Sequence, residues 1–260
     1  ASSTPEPFDR ARAIVIAGNH AVAQRGVSAF MPEATAVQVE EIRAGGGPAN
    51  TAARIAGCTL RLVDDFADAP HGSIDVEDAM SREVFDQALA LGTQIADNEV
   101  DAGTDLIIPG DLGVGNTTVA AAVFGALTGT EPAVAIGRGS GISDEVWKVK
   151  VVAVRDAMFR VRGFREDTER VCAELTGPDF AFLVGLIAQT LISTGLGSKI
   201  AGLVETFSGG NLIIALLITM VVSIILGCGV PPATMRASRV TRSDEASMSK
   251  RQRLPALSPP

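Results

Sequence analysis

The alternation of short apolar runs with segments of helical periodicity is the feature that most limits the fold of this chain. Three runs have the length and composition of buried strands: ARAIVIAG, TLRLVDDF and TDLIIPGD. The segments between them place apolar residues at helical spacing and end at glycine, as many helices do. Strands that alternate with helices favour a doubly wound parallel sheet. Residues 1–176 are therefore predicted to form an α/β domain.

Helices are predicted over five segments of this region. One of them, residues 74–103, opens with acidic residues and keeps a helical period, which predicts one long helix with a cap region. The other four predicted helices are PEATAVQVEEIRAG, GPANTAARIAG, TTVAAAVFGALTG and EVWKVKVVAVRDAMFRV.

The charge of the chain is acidic overall and unevenly distributed. The formal net charge is −8, with 30 acidic and 22 basic side chains, which argues against a nucleic-acid-binding protein. Residues 180–230 contain only two charged side chains, Lys199 and Glu205, whereas residues 234–260 contain six cations. The last segment is also rich in serine and proline, and this composition predicts a basic, disordered tail.

Residues 177–233 contain two long runs with few charges and predict a hydrophobic helical hairpin. The second run has about 19 residues without a charge, enough to cross a hydrocarbon layer of roughly 30 Å. Arginines precede the first run and the basic tail follows the second, which favours a cytoplasmic location for both ends. We therefore expect residues 1–176 to be cytoplasmic and residues 180–230 to associate with a membrane. A pair of buried helices that completes a soluble core is the alternative.

The cysteines do not indicate a disulfide or a metal site. Cys58, Cys172 and Cys228 lie far apart in the sequence and show no paired spacing. Disulfide frameworks and zinc sites both depend on such spacing. The sequence therefore predicts reduced thiols and no bound metal.

Two glycine-rich loops follow predicted strands and indicate an anion-binding site. In the first loop, GDLGVGNTT, Gly113 and Gly115 let the backbone approach a ligand closely, at the N-terminus of the next predicted helix. The second loop, GRGSG, contains the guanidinium group of Arg138, and Lys150 follows one helix-length later. Loops on neighbouring strands would meet at the carboxyl edge of the sheet and bind phosphate. Ordinary tight turns are the alternative, because neither loop is a Walker loop or a GxGxxG motif.

Five motifs together resemble one enzyme family. GVSAFMPEAT, AGGGPANTAARIAG, IDVEDAMSRE, GDLGVGNTT and GRGSG follow the order and spacing of nicotinate-nucleotide–dimethylbenzimidazole phosphoribosyltransferases, from about Ala13 to Thr176. The resemblance implies a Rossmann-like parallel sheet and a homodimer. It also implies transfer of phosphoribose from nicotinate mononucleotide to a benzimidazole nitrogen in cobalamin lower-ligand synthesis, without a metal or cofactor. The anion bound by the glycine loops would then be the 5′-phosphate of nicotinate mononucleotide.

The resemblance also implies roles for individual residues. Asp111 stands where the family usually has a glutamate near the reacting centre; a carboxylate that fixes the loop backbone is the alternative. Ser28 and Phe30 fall where the family forms its benzimidazole pocket. The phosphate and ribose of the nucleotide would be bound by Gly113, Gly115, Asn116, Thr117, Thr118, Gly137, Arg138, Gly139, Ser140, Gly141 and Lys150.

Two departures from the family pattern affect the expected site. GNHAV replaces GDHGV, and Asn19 thereby removes a carboxylate and Ala21 a glycine. His20 between them is interpreted as a structural residue. The family continues with a second sheet half that ends in GEGTGA and contains its general-base glutamate, and this sequence has no such segment. An incomplete domain with very weak activity is the resulting expectation.

The segment from Phe180 to Pro232 resembles a different family. Its sequence is similar to part of the large membrane subunit of TRAP-type transporters, a stretch too short to transport a substrate. Two further hypotheses follow. The chain could be an α/β module fused to a membrane hairpin without activity of its own, or a fusion or truncated product that lacks both activities.

Overall fold

The computed structural model describes residues 8–68, 71–209 and 211–227. They belong to two compact units, Ala1–Lys199 and Ile200–Pro260. The first unit contains the sheet and extends past residue 176, where the sequence predicts the end of the α/β domain.

Three parallel strands form the sheet, at the positions that the apolar runs predict. Strands β1 (Ala11–Ala17), β2 (Thr59–Val63) and β3 (Leu106–Leu112) lie in the order β2-β1-β3. Ile14, in the middle of β1, pairs with Arg61 of β2 on one side and with Pro109 of β3 on the other. The chain thus passes from β1 to β2 on one side and then crosses to β3 on the other side of β1. Parallel sheets bind ligands at such a switch point, beyond the carboxyl ends of the strands.

Helices surround the sheet in the first unit. A short 3-10 helix, Ala21–Arg25, follows β1, and the α-helices that follow are α1 (Ala34–Arg43), α2 (Gly47–Ala56), α3 (Arg82–Asp101), α4 (Asn116–Thr128), α5 (Pro132–Ala135), α6 (Asp144–Arg160), α7 (Thr168–Leu175) and α8 (Pro178–Ser193). One face of the sheet, with Ile14 and Ile16 fully buried, packs against side chains of α3 and α8. A second apolar cluster joins α4, α6 and α7.

Residues 74–103 contain one long helix, as the sequence predicts, and the cap region before it covers residues 74–81. Helix α3 starts at Arg82, where the Ser81 hydroxyl accepts a hydrogen bond from the Val84 amide at 3.3 Å. The preceding residues form turns, and Asp75 within them is buried and bound to Arg25 at 2.7 Å. That ion pair supplies the partner that a buried carboxylate requires, which helical periodicity does not reveal.

Helix α8 is a core helix, and the prediction of a hydrophobic hairpin is wrong for this half. Phe182 and Leu186 are almost fully buried in the cluster under the sheet. Two glycines allow close contact with α3: a side chain on Gly92 would overlap the carbonyl of Phe182, and one on Gly185 would overlap the carbonyl of Leu89. An apolar helix of this kind is buried by its neighbours in the fold.

The rest of the predicted hairpin corresponds to two helices: α9 (Leu196–Ser208) covers the link between the two apolar runs, and α10 (Leu212–Gly227) covers most of the second run. No single helix in the described ranges is long and apolar enough to cross a membrane. One bent pair, Pro178–Ser193 with Ser198–Ser208, passes that test by length and composition when the two helices are taken together. The predicted disordered tail, residues 234–260, lies outside the described residues.

Candidate active site

Four polar side chains meet where β1 and β3 end. His20 follows β1, Asp111 is the penultimate residue of β3, Asn116 is the first residue of α4, and Asp179 lies in the first turn of α8. Asp111 and Asn116 are predicted site residues, whereas the sequence indicates a structural role for His20 and no role for Asp179. The site therefore includes a residue from a helix that the sequence pattern assigns to a membrane hairpin.

His20 and Asp179 form a buried pair. The Nε2 atom of His20 lies 3.1 Å from Oδ2 of Asp179, and the two residues are only 5 % and 2 % exposed. Burial lowers the pKa of His20, but the charge and hydrogen bond of Asp179 outweigh it, and the pKa is raised. For Asp179, burial raises the pKa, but His20 and further hydrogen bonds lower it overall. The pair is therefore stabilised as imidazolium and carboxylate.

Asp111 lies next to this pair and remains accessible to solvent. Surrounding protein atoms displace much of the water from its carboxyl group, and this desolvation together with the negative charge and hydrogen bond of Asp179 raises its pKa to about 7. His20 and Asn116 act in the opposite direction. A hydrogen bond between two carboxyl groups requires a proton on one of them. Asp111 thus exchanges its proton near neutral pH.

Glycines make the close packing of this cluster possible. A side chain on Gly18 or on Gly177 would overlap the Asp179 side chain, and one on Gly113 would overlap Asn116. Gly115 adopts a φ of 105°, a conformation that favours glycine, as it starts α4. The glycines of the GDLGVGNTT loop therefore shape the site.

The two glycine loops meet beside the N-terminus of α4, but the prediction that both follow strands is wrong, because GRGSG follows the short helix α5. Lys150 is 2 % exposed, and its Nζ atom donates a hydrogen bond to Oγ1 of Thr117 at 2.8 Å. Gly139 of the second loop lies against both: an added Cβ would be 3.1 Å from the Thr117 hydroxyl and 3.5 Å from the Lys150 ammonium group. Burial lowers the pKa of Lys150. The N-cap residue of α4 is Gly115, which has no side chain to cap the helix, and the N-terminal dipole of α4 faces this position.

Two polar atoms of the first turn of α4 are buried without a partner. Oδ1 of Asn116 and Oγ1 of Thr118 have no hydrogen-bond partner among the described residues. Buried polar groups in folded proteins are nearly always hydrogen-bonded. Asn116 and Thr118 are both residues that the sequence assigns to nucleotide binding.

The guanidinium group of Arg138 forms its hydrogen bonds close to its own loop. It donates a hydrogen bond to the Ile142 carbonyl at 3.0 Å and pairs with Asp144 at the start of α6. Both contacts close the loop on itself. The structure therefore shows Arg138 as a residue that shapes the loop, and its contact with a phosphate stays a prediction.

Ser140 links this loop to the segment predicted to bind the benzimidazole. Its Oγ atom lies 3.2 Å from Oγ of Ser28 and accepts a hydrogen bond from the Ala29 amide at 3.0 Å. The Phe30 amide donates to Oγ of Ser28 at 3.2 Å, and the ring of Phe30 is 57 % exposed. Gly137 and Gly141, at the two ends of the loop, have open space where a side chain would begin. The structure places Ser28 and Phe30 beside the loop predicted to bind phosphate.

An open pocket of about 510 Å³ lies at the same edge, towards β2. Its lining comes from the loop after β1, from α1 and from the segment after β2, and it includes Asn19, Gln24, Pro32, Glu33, Thr35, Arg43, Asp64 and Asp68. Asn19, from the GNHAV motif that replaces the family's GDHGV, thus lines this pocket.

A protein-family model matches most of the chain. The family described as "DBI_PRT: Phosphoribosyltransferase" matches residues 1–194, about three-quarters of the 260 residues. The chain belongs to this phosphoribosyltransferase family. The match continues to the end of α8, and the resemblance of residues 180–232 to a TRAP-type permease has no support.

Curated relatives agree with this membership. The chain is 46 % identical over 198 residues to the nicotinate-nucleotide–dimethylbenzimidazole phosphoribosyltransferase of Corynebacterium glutamicum strain R, covering 72 % of this chain and 55 % of the relative. It is 45 % identical over 202 residues to the protein of the same name from Mycobacterium avium, covering 72 % and 58 %. The chain spans little more than half the length of these relatives.

Solved structures also resemble the fold. The crystal structure of CobT from Thermus thermophilus matches with a TM-score of 0.65 and 29 % identity, over 72 % of this chain and 60 % of that one. A second structure from the same organism, of the nicotinate-nucleotide–dimethylbenzimidazole phosphoribosyltransferase, matches with a TM-score of 0.64 and 28 % identity, over 72 % and 59 %.

Proposed function

We propose that the chain binds nicotinate mononucleotide and transfers its phosphoribosyl group to a benzimidazole base, as the names of its relatives indicate for those proteins. The product would be the nucleotide of the cobalamin lower ligand. Dimethylbenzimidazole is the proposed acceptor, and the homodimer implied by the resemblance stays a prediction. The very weak turnover that the family resemblance leads us to expect stays a prediction.

The contact between the two glycine loops is the observation that most strongly supports the proposal. Lys150, Thr117 and Gly139 form one cup at the uncapped N-terminus of α4. A phosphate in this cup would pair with the Lys150 ammonium group, accept hydrogen bonds from hydroxyl groups and interact favourably with the dipole of α4. The burial of Lys150 strengthens this interaction, because less water screens the charge.

The transfer step requires one bond to form, one to break and one proton to leave. A benzimidazole nitrogen forms the new bond to C1′ of the ribose, and the nicotinate leaves with the electron pair of the old C–N bond. The leaving ring loses its positive charge, and the N–H proton of the benzimidazole must pass to an acceptor. Asp111 is the proposed acceptor, because it is accessible and its pKa of about 7 suits proton exchange near neutrality.

Binding of nicotinate mononucleotide to a pair of lysine variants tests the phosphate site. Lys150→Met keeps the length of the buried side chain and removes its charge, and we expect it to weaken binding at least tenfold by calorimetry. Lys148→Met is the matched control, because Lys148 is exposed on the same helix, and its affinity should equal that of the wild type. Equal affinities for the two variants would remove Lys150 from the site.

An activity assay tests the reaction itself. We expect slow formation of α-ribazole phosphate from nicotinate mononucleotide and dimethylbenzimidazole. Turnover as fast as that of the Corynebacterium glutamicum relative would refute weak activity. Binding of the nucleotide without any product would limit the proposal to its first step.

A further inference from the structure

The buried pair of His20 and Asp179 has no direct role in the proposed transfer. Both residues are almost fully enclosed, and neither can reach a ligand as an exposed group could. Burying a charged pair costs free energy, which its mutual attraction offsets only in part. A pair placed directly behind an accessible carboxylate at the end of β3 therefore calls for a reason other than stability.

Asp179 contacts two groups at once. Its Oδ2 atom binds His20, and its side chain lies close enough to that of Asp111 to lower its own pKa and raise that of Asp111. Its Oδ1 atom is buried, and while both carboxyl groups are ionised it accepts no hydrogen bond from the described residues. A proton on Asp111 supplies a donor to Asp179. The geometry thus links the protonation of the accessible carboxyl group to the buried one.

The charged groups around Asp111 come from several elements. His20 lies after β1, Asp179 belongs to α8, and His71 lies in the segment before α3, where it interacts electrostatically with both. Burial lowers the pKa of His71, and its two ring nitrogens are buried without partners in the described ranges. His71 is thus the neutral member of the cluster, and the His20–Asp179 pair contains its fixed charges.

We propose that Asp179 and His20 are positioning residues that hold the Asp111 carboxyl group in place and control when it accepts a proton. The proposal rests on the proposed function in one respect, namely that the proton comes from the incoming benzimidazole. Asp179 opposes the ionisation of Asp111 through its negative charge, and His20 favours it through its positive charge. The two residues therefore act in opposite directions on the same group.

This opposition gives a test that a purely structural role would not pass. The protein is labelled with ¹³C at the aspartate carboxyl carbons, and the signal of Asp111 is identified by its loss in Asp111→Asn. Its titration is then followed by NMR in the wild type, in Asp179→Asn and in His20→Asn. We expect the titration midpoint of Asp111 to fall by about one pH unit in Asp179→Asn and to rise in His20→Asn.

The direction of the two shifts decides the outcome. Loosening of the fold would move both variants downwards, towards the value of an exposed aspartate, and this result or the absence of any shift would overturn the proposal. If Asp179→Asn does not fold, the His20→Asn midpoint decides alone: a rise supports the proposal, and a fall or no change overturns it. His20→Gln replaces His20→Asn if the latter is unfolded.

The titration needs neither substrate nor turnover. A chain that fails to form product but shows the opposite shifts would contradict only the proposed function. A chain that forms product at a rate unaffected by pH between 5 and 8, in the wild type and both variants, would overturn the role of the pair and leave the proposed function intact.

Discussion

Individual residues of the site differ in how far their roles follow from the sequence. Lys150 and Thr117 are 33 residues apart, and the glycine-loop pattern assigns both to one nucleotide site; the structure brings the two side chains into contact. His20 and Asp179 are 159 residues apart and belong to no common motif, and their contact could not be predicted. A lone histidine after a strand is most often structural. The carboxylates near His20, Asp179 and Asp111, are what support the further role proposed for it.

Asp111 makes stability depend on pH in a defined direction. Its pKa is raised from 3.8 to about 7 by folding, and the native state therefore holds the proton over a range in which the unfolded chain releases it. This contribution to stability is present below the unfolded pKa and is lost as the pH rises through the folded one.

Asp111→Asn should therefore become more stable relative to the wild type between pH 5 and pH 8. We expect a relative gain of roughly 1 kcal/mol, since solvent access to Asp111 reduces the effect. Urea unfolding at both pH values measures it, with Asp156→Asn on α6 as the control. An equal pH dependence for the two variants would contradict the raised pKa.

Among the elements, α8 shows why composition alone misleads. A helix that is apolar on all sides is either buried in a protein or in contact with lipid, and its sequence does not distinguish the two cases. The distinction comes from α3, whose Gly92 admits the backbone of α8. In the same way, Gly185 of α8 leaves room for the backbone of α3 at Leu89. Such a close approach of two backbones depends on residues about 90 positions apart in the chain.

Gly185→Ala should destabilise the protein by about 2 kcal/mol, because the new methyl group overlaps the Leu89 carbonyl of α3. Gly202→Ala is the control, because a side chain there meets no neighbouring atom and alanine favours a helix. The measurement is the free energy of unfolding in urea. Equal stabilities would show that α3 and α8 do not pack this closely.

At the scale of the whole molecule, the boundary of the folded unit is the main difference from the sequence prediction. The predicted boundary at residue 176 would separate Asp179, Phe182 and Leu186 from the core that encloses them. The compact unit instead reaches Lys199, which agrees with a family match to residue 194.

Two truncations test this boundary directly. A fragment that ends after Lys199 should unfold cooperatively in urea, because it keeps α8 over the sheet. A fragment that ends after Thr176 should be largely unfolded or aggregated, since it exposes the apolar face of β1 and α3. Cooperative unfolding of the shorter fragment with the stability of the longer one would place the boundary back at residue 176.

The sequence by itself determined the three strands, most of the helices and the two glycine loops. These features depend on local periodicity, on turn chemistry and on the direction of parallel strands. Short stretches of sequence are enough to indicate all three. The tertiary structure alone decided that α8 is a core helix and that His20, Asp111 and Asp179 form one cluster. The reason is that burial and pKa depend on neighbours from distant parts of the chain, which only the folded packing brings into contact.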